Sequence, residues 1–317
     1  MKPTFSIRVG GVGTNIDDRL LALEVVDQEG NRADSCRIEV DDRDGRVQIP
    51  ERGANISISL GYRESGVHDM GSYVVDEVTA HGWPQKLIIF GRSADLTDAL
   101  KSPRSQTYRD MSLADIVQQI ASRHGLSGSA SGQMGQLKYK MLAQTEESDL
   151  NFLTRIAMRH DGIFTVKNGQ IIFKKRGEQM GSGASVVHPG NILEYRVTYQ
   201  DRQAHGEAWN EWWDRGQAKR MRETGQGGSG SATSMAAPLA EDGQSQAQDV
   251  AGSVGGAFRR MERVGEFTIV GDPTVRAEMS LTVRGIKGGV DGQYRIRAVT
   301  HQLSNQGYRT TIIAEDL

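Results

Sequence analysis

Glu146, Glu147 and Asp149 stand within four positions of one another, and a carboxylate pair held across a sugar is the acid and base of a glycosidase. The sequence places no second carboxylate opposite them. Thr145-Glu146-Glu147-Ser148-Asp149 instead opens an apolar-periodic run, where a helix's unpaired amides and positive dipole end favour hydroxyls and acids; capping accounts for all three. The seven histidines, His68, His81, His124, His160, His188, His205 and His301, show no His-x-x-x-His spacing, and a single cysteine, Cys36, gives no zinc framework. Asp42-Arg43-Asp44-Gly45 with Glu51 matches part of a calcium loop, but Val40 holds the first position and no helix pair flanks it, so a solvated turn is expected. Gly10-Gly11-Val12-Gly13 precedes Thr14-Asn15-Ile16 without the spacing of a phosphate loop and reads as a turn. No serine sits in a Gly-x-Ser-x-Gly elbow. Nothing here anchors an enzyme, and no catalytic residue, cofactor or metal is expected.

Trp209, Trp212 and Trp213 differ in kind: three of the four tryptophans fall within five residues, at helical spacing, beside Glu207, Glu211 and Asp214. One reading is an ordinary core face. The other is a partner-binding hot spot formed by Trp209, Trp212, Trp213 and the following Arg215, since tryptophan and arginine are enriched at such sites. Arg215, Lys219, Arg220 and Arg222 also raise base stacking, which the interleaved acids oppose. Basic groups at Lys101, Arg104 and Arg109 and at Lys167, Lys174, Lys175 and Arg176 read as solvated faces or as charges at subunit contacts.

The elements that must position these residues are organised around a repeat. Gly71-Ser72-Tyr73-Val74-Val75-Asp76-Glu77-Val78-Thr79 returns as Gly292-Gln293-Tyr294-Arg295-Ile296-Arg297-Ala298-Val299-Thr300, and both read Gly-x-Tyr-x-(Val/Ile)-x-x-Val-Thr. Strict alternation breaks at the same place in each, so a one-residue bulge is predicted. Alternating strands closed by glycine precede both, at 56–61 and 279–285, and further strands follow at 87–90 and 308–314. The agreement of glycine, tyrosine, slip and Val-Thr favours duplication. His81 and His301 hold nearly equivalent places, for which strand-end packing is the simpler account.

In chain order, strands are predicted at 4–9, 20–27, 35–40, 55–62, 72–81 and 86–91, a spacing that suits a barrel or sandwich. From Leu96 the pattern changes. Ser112-Leu113-Ala114-Asp115 is a capping-box-like start with Leu113, Ile116, Val117 and Ile120 on one helical face, and a small linker follows at 127–135. A second helix carries Leu150, Leu153, Ile156 and Ala157, and Asn168-Gly169 joins two apolar runs as a hairpin. Strand character resumes at 192–199. The Gly/Ser-rich stretch 225–243 reads as mobile, and 245–263 as a helix carrying Gly252, Gly255 and Gly256.

Composition sets the bounds. A chain of 317 residues accommodates two or three domains, and a formal charge of −2 supplies no global drive toward DNA or an anionic membrane. The lone cysteine fits a reducing compartment. No signal peptide is read at the N-terminus, and no apolar run is long enough to span a bilayer.

These residues resemble a known family. Carrying the resemblance are 40–45 (Val-Asp-Asp-Arg-Asp-Gly) with Pro50, Gly53 and Leu60-Gly61-Tyr62, then 89–95 (Ile-Phe-Gly-Arg-Ser-Ala-Asp) and 100–104 (Leu-Lys-Ser-Pro-Arg). Further on are 120–126 (Ile-Ala-Ser-Arg-His-Gly-Leu), 144–157 (Gln-Thr-Glu-Glu-Ser-Asp-Leu-Asn-Phe-Leu-Thr-Arg-Ile-Ala), Gly271-Asp272-Pro273, Val299-Thr300-His301 and Gly307-Tyr308-Arg309-Thr310-Thr311. The ordered series is similar to the late-control D proteins, or baseplate hubs, of contractile-tailed phages and phage-tail-like bacteriocins, and to the hub part of type VI secretion spike proteins. It spans essentially the whole chain. The chain departs from the family pattern in its Gly/Ser tract at 225–243 and in a fairly short middle region.

The resemblance implies a mainly β fold with an α+β insertion: a tube-like β-barrel over 1–100, a helix-containing middle domain over 101–190, and a second tube-like barrel over 191–317. It implies a structural, non-enzymatic role in the virion tail baseplate, made in the bacterial host cytoplasm. Three such chains would form a homotrimer of six quasi-equivalent barrels, adapting a sixfold tail tube to a threefold central spike and leaving a lumen that DNA or cargo passes without specific binding. Tube, spike and wedge or tape-measure proteins are the implied partners. A tail-associated cell-wall hydrolase and a nucleic-acid-binding module are the alternative readings.

Overall fold

The computed structural model describes residues 2–10, 16–30, 33–93, 98–167, 169–176, 184–199, 207–214, 216–227, 234–236 and 243–317. Six strands come first: β1 (Pro3–Val9), β2 (Leu20–Gln28), β3 (Ser35–Asp41), β4 (Asn55–Tyr62), β5 (Gly66–His81) and β6 (Lys86–Ser93). Then follow β7 (Pro103–Ser112), α1 (Leu113–Arg123), β8 (Ser127–Ala130), α2 (Gly132–Gly135), β9 (Lys138–Ser148), α3 (Asp149–Arg159), β10 (Gly162–Lys167) and β11 (Gln170–Lys175). The remainder comprises β12 (Ala184–Val187), β13 (Ile192–Tyr199), β14 (Glu207–Asp214), β15 (Lys219–Gln226), β16 (Ser234–Ala236), α4 (Gln244–Met261), β17 (Arg263–Val270), β18 (Ser280–Val283), β19 (Gly292–Ser304) and β20 (Gly307–Asp316). The fold is mainly β, as expected.

Two runs of six strands carry one topology. The first is ordered β1-β4-β5-β6-β3-β2 and the second β12-β18-β19-β20-β17-β13. Numbered within its own run, each reads first, fourth, fifth, sixth, third, second. Even the register agrees: Asn55↔Val74, Ile56↔Tyr73 and Ser57↔Ser72 correspond to Ser280↔Arg295, Leu281↔Tyr294 and Thr282↔Gln293. They differ at the first strand, since β1 pairs antiparallel to β4 and β12 parallel to β18. The runs join into one 12-stranded sheet where β2 pairs β19. Among the described residues the ladder branches at β19, which pairs β20 along one edge and β18 then β2 along the other.

The predicted slip is real. In β5 the pairing to β6 skips Asp76 between Val75↔Gly91 and Glu77↔Phe90, which returns Val78 to the core side after Tyr73 and Val75. In β19 the buried series Tyr294, Ile296 gives way to Val299, His301, Leu303 where the strand leaves β18 and joins β2. Both repeat tyrosines are buried and donate their hydroxyls to an upstream carbonyl, Tyr73 to Met70 (2.8 Å) and Tyr294 to Val290 (2.6 Å). The core of the first run follows from alternation in β3 and β4, with Cys36, Ile38 and Val40 stacked beside Ile56, Ile58 and Leu60.

Contacts divide the chain into two compact units that do not follow sequence order. One comprises 1–96, 179–196 and 266–314; the other comprises 97–178, 197–265 and 315–317. The stretch 197–265, expected within the second barrel, groups instead with the middle region, because β14 and β15 pack on α4 and form their own small sheet with β16.

In the second unit α1 starts at the predicted capping box, Ser112 Oγ accepting from Asp115 N, and α3 is capped by Ser148. The β10–β11 hairpin forms as predicted, with Gly169 at φ 72. Residues 127–135 are not a linker. Gly128 lies in β8, where a Cβ would meet Val117 O at 2.7 Å, so the small residues serve close packing rather than mobility. The long β7–β9 pairing was not anticipated. Of the Gly/Ser stretch, 228–233 and 237–242 lie outside the described residues. The helix α4 does form, and two glycines let it seat on β15: a Cβ on Gly255 of the helix would strike Gln226 O at 2.2 Å, and one on Gly225 of β15 would strike Ala251, whereas Gly252 faces open space.

Candidate functional site

The joint between the two runs is built from β2 and β19, which pair antiparallel from Ala298↔Gln28 to Ser304↔Ala22. Asp27 is buried beside it and accepts from Ala277 N at 3.0 Å. Tyr62 donates to Gly271 O (2.8 Å), with its ring 5.7 Å from that of Tyr308. Gly271 is required there, since a Cβ would meet the Tyr308 ring at 2.2 Å. Tyr308 in turn faces His301 Nδ1 at 2.8 Å, while His301 Nε2 faces Val275 O at 3.2 Å. A carbonyl only accepts, so Nε2 carries the proton and Nδ1 accepts the tyrosine O–H. Burial, with the nearby Arg276 charge, pushes the His301 imidazole down to about 4. His81 does not match it, being exposed.

Each half of this joint has a counterpart that stands open. Aligning Tyr73 with Tyr294 sets Glu77 to His81 of β5 on the segment of β19 that pairs β2. Those β5 residues pair β6 on one edge and, among the described residues, nothing on the other. The counterpart of β2 is β13, which among the described residues pairs on one edge alone and exposes Leu193, Tyr195 and Tyr199 at odd-numbered positions.

The tryptophans lie on a strand, not a helix. β14 pairs β15 from Glu207↔Gln226 to Asp214↔Lys219. Buried Ala208 and Asn210, with Gly225 opposite Ala208, face α4. Two-residue alternation therefore puts Trp209 and Trp213 together on the other face, and Trp212 on the α4 side, where its Nε1 donates to Glu223 (3.1 Å). The Arg222 guanidinium lies 3.7 Å from the Trp209 ring centroid, and Glu211 lies 3.6 Å from Arg220 and 3.9 Å from Arg222. Trp213 is half exposed. Arg215 lies outside the described residues.

The candidate acids are structural in this geometry. Glu147 pairs with Arg155 at 2.8 Å. Glu146 and Glu147 lie in β9 rather than in the first turn of α3, so capping does not account for them. Asp149, the first residue of α3 after its cap Ser148, is fully buried, and Arg123 (3.0 Å), His124 (2.8 Å), Arg104 (3.4 Å) and Gln144 (2.9 Å) converge on it. Burial pushes its carboxyl up, but the hydrogen bonds from His124 and Gln144 and the arginine charges outweigh that and leave it below the usual range. Of the basic groups, Arg104 reaches Asp149, Lys174 is buried, Lys175 lies 3.1 Å from Asp249 and Arg176 3.2 Å from Asp161, whereas Lys101 and Arg109 are exposed. Asp42 accepts from Val47 N and Asp44 is held by Arg19, so that loop is a turn. Gly10 donates to Asn55 O, and 11–13 lie outside the described residues.

Sequence reasoning passed over one chain of hydrogen-bonded groups, two of them buried. Tyr139 Oη lies 2.8 Å from His160 Nε2, and His160 Nδ1 lies 2.8 Å from Asp249 Oδ2, tying α4 to the end of α3. The partners are 89 positions apart, and no local pattern marks them. Among the described residues no group of three His, Cys, Asp or Glu is placed to hold a metal, and no helix is long and apolar enough to cross a membrane.

A profile of the phage tail baseplate hub (GPD) family matches residues 38–307. The chain belongs to the phage tail baseplate hub family. Hub proteins of this family are structural components of the phage tail. The chain is 34% identical over 189 residues to a probable baseplate hub protein of Escherichia phage 186, covering 59% of this chain and 49% of that protein. It is 35% identical over 191 residues to the corresponding protein of Escherichia phage P2, covering 60% and 48%. The match thus spans about half the length of these hubs. Its fold is similar to the 43 kDa tail protein of prophage MuSo2 from Shewanella oneidensis, with TM-score 0.73 and 13% identity over 98% of this chain and 96% of that one. It is also similar to a tail protein from Neisseria meningitidis MC58 (TM-score 0.72, 13% identity, 100% and 97% covered). A third similar fold is the Escherichia coli c3393 component of the type VI secretion system (TM-score 0.61, 11% identity, 98% and 77% covered).

Proposed function

We propose that this baseplate hub is non-enzymatic and assembles as a homotrimer whose six tube-like barrels present sixfold geometry to a tail tube and threefold geometry to a central spike. The observation that carries this reading is the unfinished joint. Within one chain β2 of the first run pairs β19 of the second; the equivalent β13 and β5 edges are left without partners among the described residues. A free edge that repeats an occupied one invites the same pairing with another chain. Such a contact is heterologous, so it propagates head to tail until the rotation closes. With two near-equivalent joints per chain, one internal and one between chains, closure at three chains makes six joints around one axis. The space on that axis serves as the lumen for DNA or cargo, and a passage of that kind functions without gripping phosphates.

Tube and spike proteins are the partners this arrangement fits, with the Trp209 and Trp213 face a candidate surface for either. Native mass measurement together with a low-resolution image tests the assembly. A stable trimer and a threefold ring with a central hole are expected. A chain that stays monomeric even with spike protein present contradicts the reading.

A further inference from the structure

The hairpin between β5 and β6 carries Trp83, the most exposed of the large apolar side chains among the described residues at 84%. At the aligned place in the second repeat stands Ser304, the last residue of β19, ahead of a turn with no large apolar side chain. Ser304 is also where the internal joint ends, opposite Ala22 near the start of β2. Carrying that geometry to the open joint puts Trp83 opposite the start of β13 in a neighbouring chain. Leu193 and Tyr195 are 53% and 42% exposed there, and alternation places them on one face. Apolar surface is thus offered on both sides of the contact.

The difference between serine and tryptophan has a physical reason. The internal joint is tethered by the chain itself, so its halves meet at high effective concentration and need no anchor. The joint between chains must overcome the translational and rotational entropy of association, and a tryptophan at its end is the side chain best able to do so. We propose that Trp83 anchors the contact between copies of this chain by docking on Leu193 and Tyr195 of the next copy. This depends on the assembly proposed above and assigns it a specificity-determining residue.

Two variants that each add one cysteine, Trp83→Cys and Leu193→Cys, are made separately, mixed and oxidised; the native Cys36 is buried and stays silent. A covalent heterodimer in the mixture, together with at least a tenfold weaker self-association of Trp83→Ala at an unchanged unfolding midpoint, is the expected result. A wild-type trimer in which no cross-link forms and Trp83→Ala associates normally overturns the anchor while leaving the threefold reading intact. The anchor also falls if Trp83 fluorescence stays that of a solvated indole until a tube-type subunit is added. A wild-type chain that never self-associates overturns both.

Discussion

His301 sits between Tyr308, Thr310 and the Val275 carbonyl, and its folded value of about 4 lies below the usual 6.5. The unfolded chain therefore binds a proton that the native state refuses. Stability from this group is fully present above pH 6.5 and is lost progressively as pH falls toward 4, by about 3 kcal/mol over that span. Urea midpoints measured between pH 7 and 4 are expected to fall, and His301→Gln should flatten the slope in that window even though it lowers stability at pH 7. An equal slope in the variant would place the acid sensitivity elsewhere. Residue-scale chemistry was only partly legible in the sequence. The repeat tyrosines announced themselves through flanking glycine and spacing, whereas the burial of Asp149 and the contact of buried His160 with Asp249 depend on groups brought from distant positions, which no local pattern encodes.

Among the elements, helices whose signals are local came out as read: α1 and α3 begin at their capping residues, and the Gly169 hairpin closes where expected. The tryptophan segment did not, for a reason visible in its partner. Positions 209, 212 and 213 satisfy a helical spacing by coincidence, and β15 opposite is nearly all polar, so neither strand shows the apolar alternation that marks a sheet. The glycines of α4 were the other ambiguity, and they separate into two kinds. Gly255 touches the Gln226 backbone, while nothing lies within 4 Å of a Cβ on Gly252. Gly255→Ala should therefore destabilise the second unit by about 1–3 kcal/mol through overpacking against main chain that has no rotamer to change. Gly252→Ala should stabilise it by roughly 0.5–1 kcal/mol, because an exposed helix interior favours alanine. Thermal unfolding of both variants checks the pair; opposite signs are required if α4 is seated on β15 as described.

At the scale of the whole molecule, the duplication was legible because it is written twice in the same letters, yet its meaning lies in edges that composition cannot reveal. Neither β13 nor the end of β5 has an unusual sequence; what distinguishes them is that their counterparts β2 and β19 are paired to each other. That asymmetry makes a prediction about backbone amides alone, independent of any side chain. In dilute protein the amides of 298–304 should exchange slowly, since their ladder is internal, whereas 77–81 and 192–199 should retain fast-exchanging members along their open edges. As concentration rises through the assembly range, the two open segments should gain protection together and in equal proportion, because each supplies the other's hydrogen bonds in the neighbouring chain. Protection arising in only one of them would mean that a different element completes it, and the six joints would not be equivalent. Protection in neither, at concentrations where native mass reads a trimer, would place the interface elsewhere and separate the duplication from the assembly it is proposed to serve.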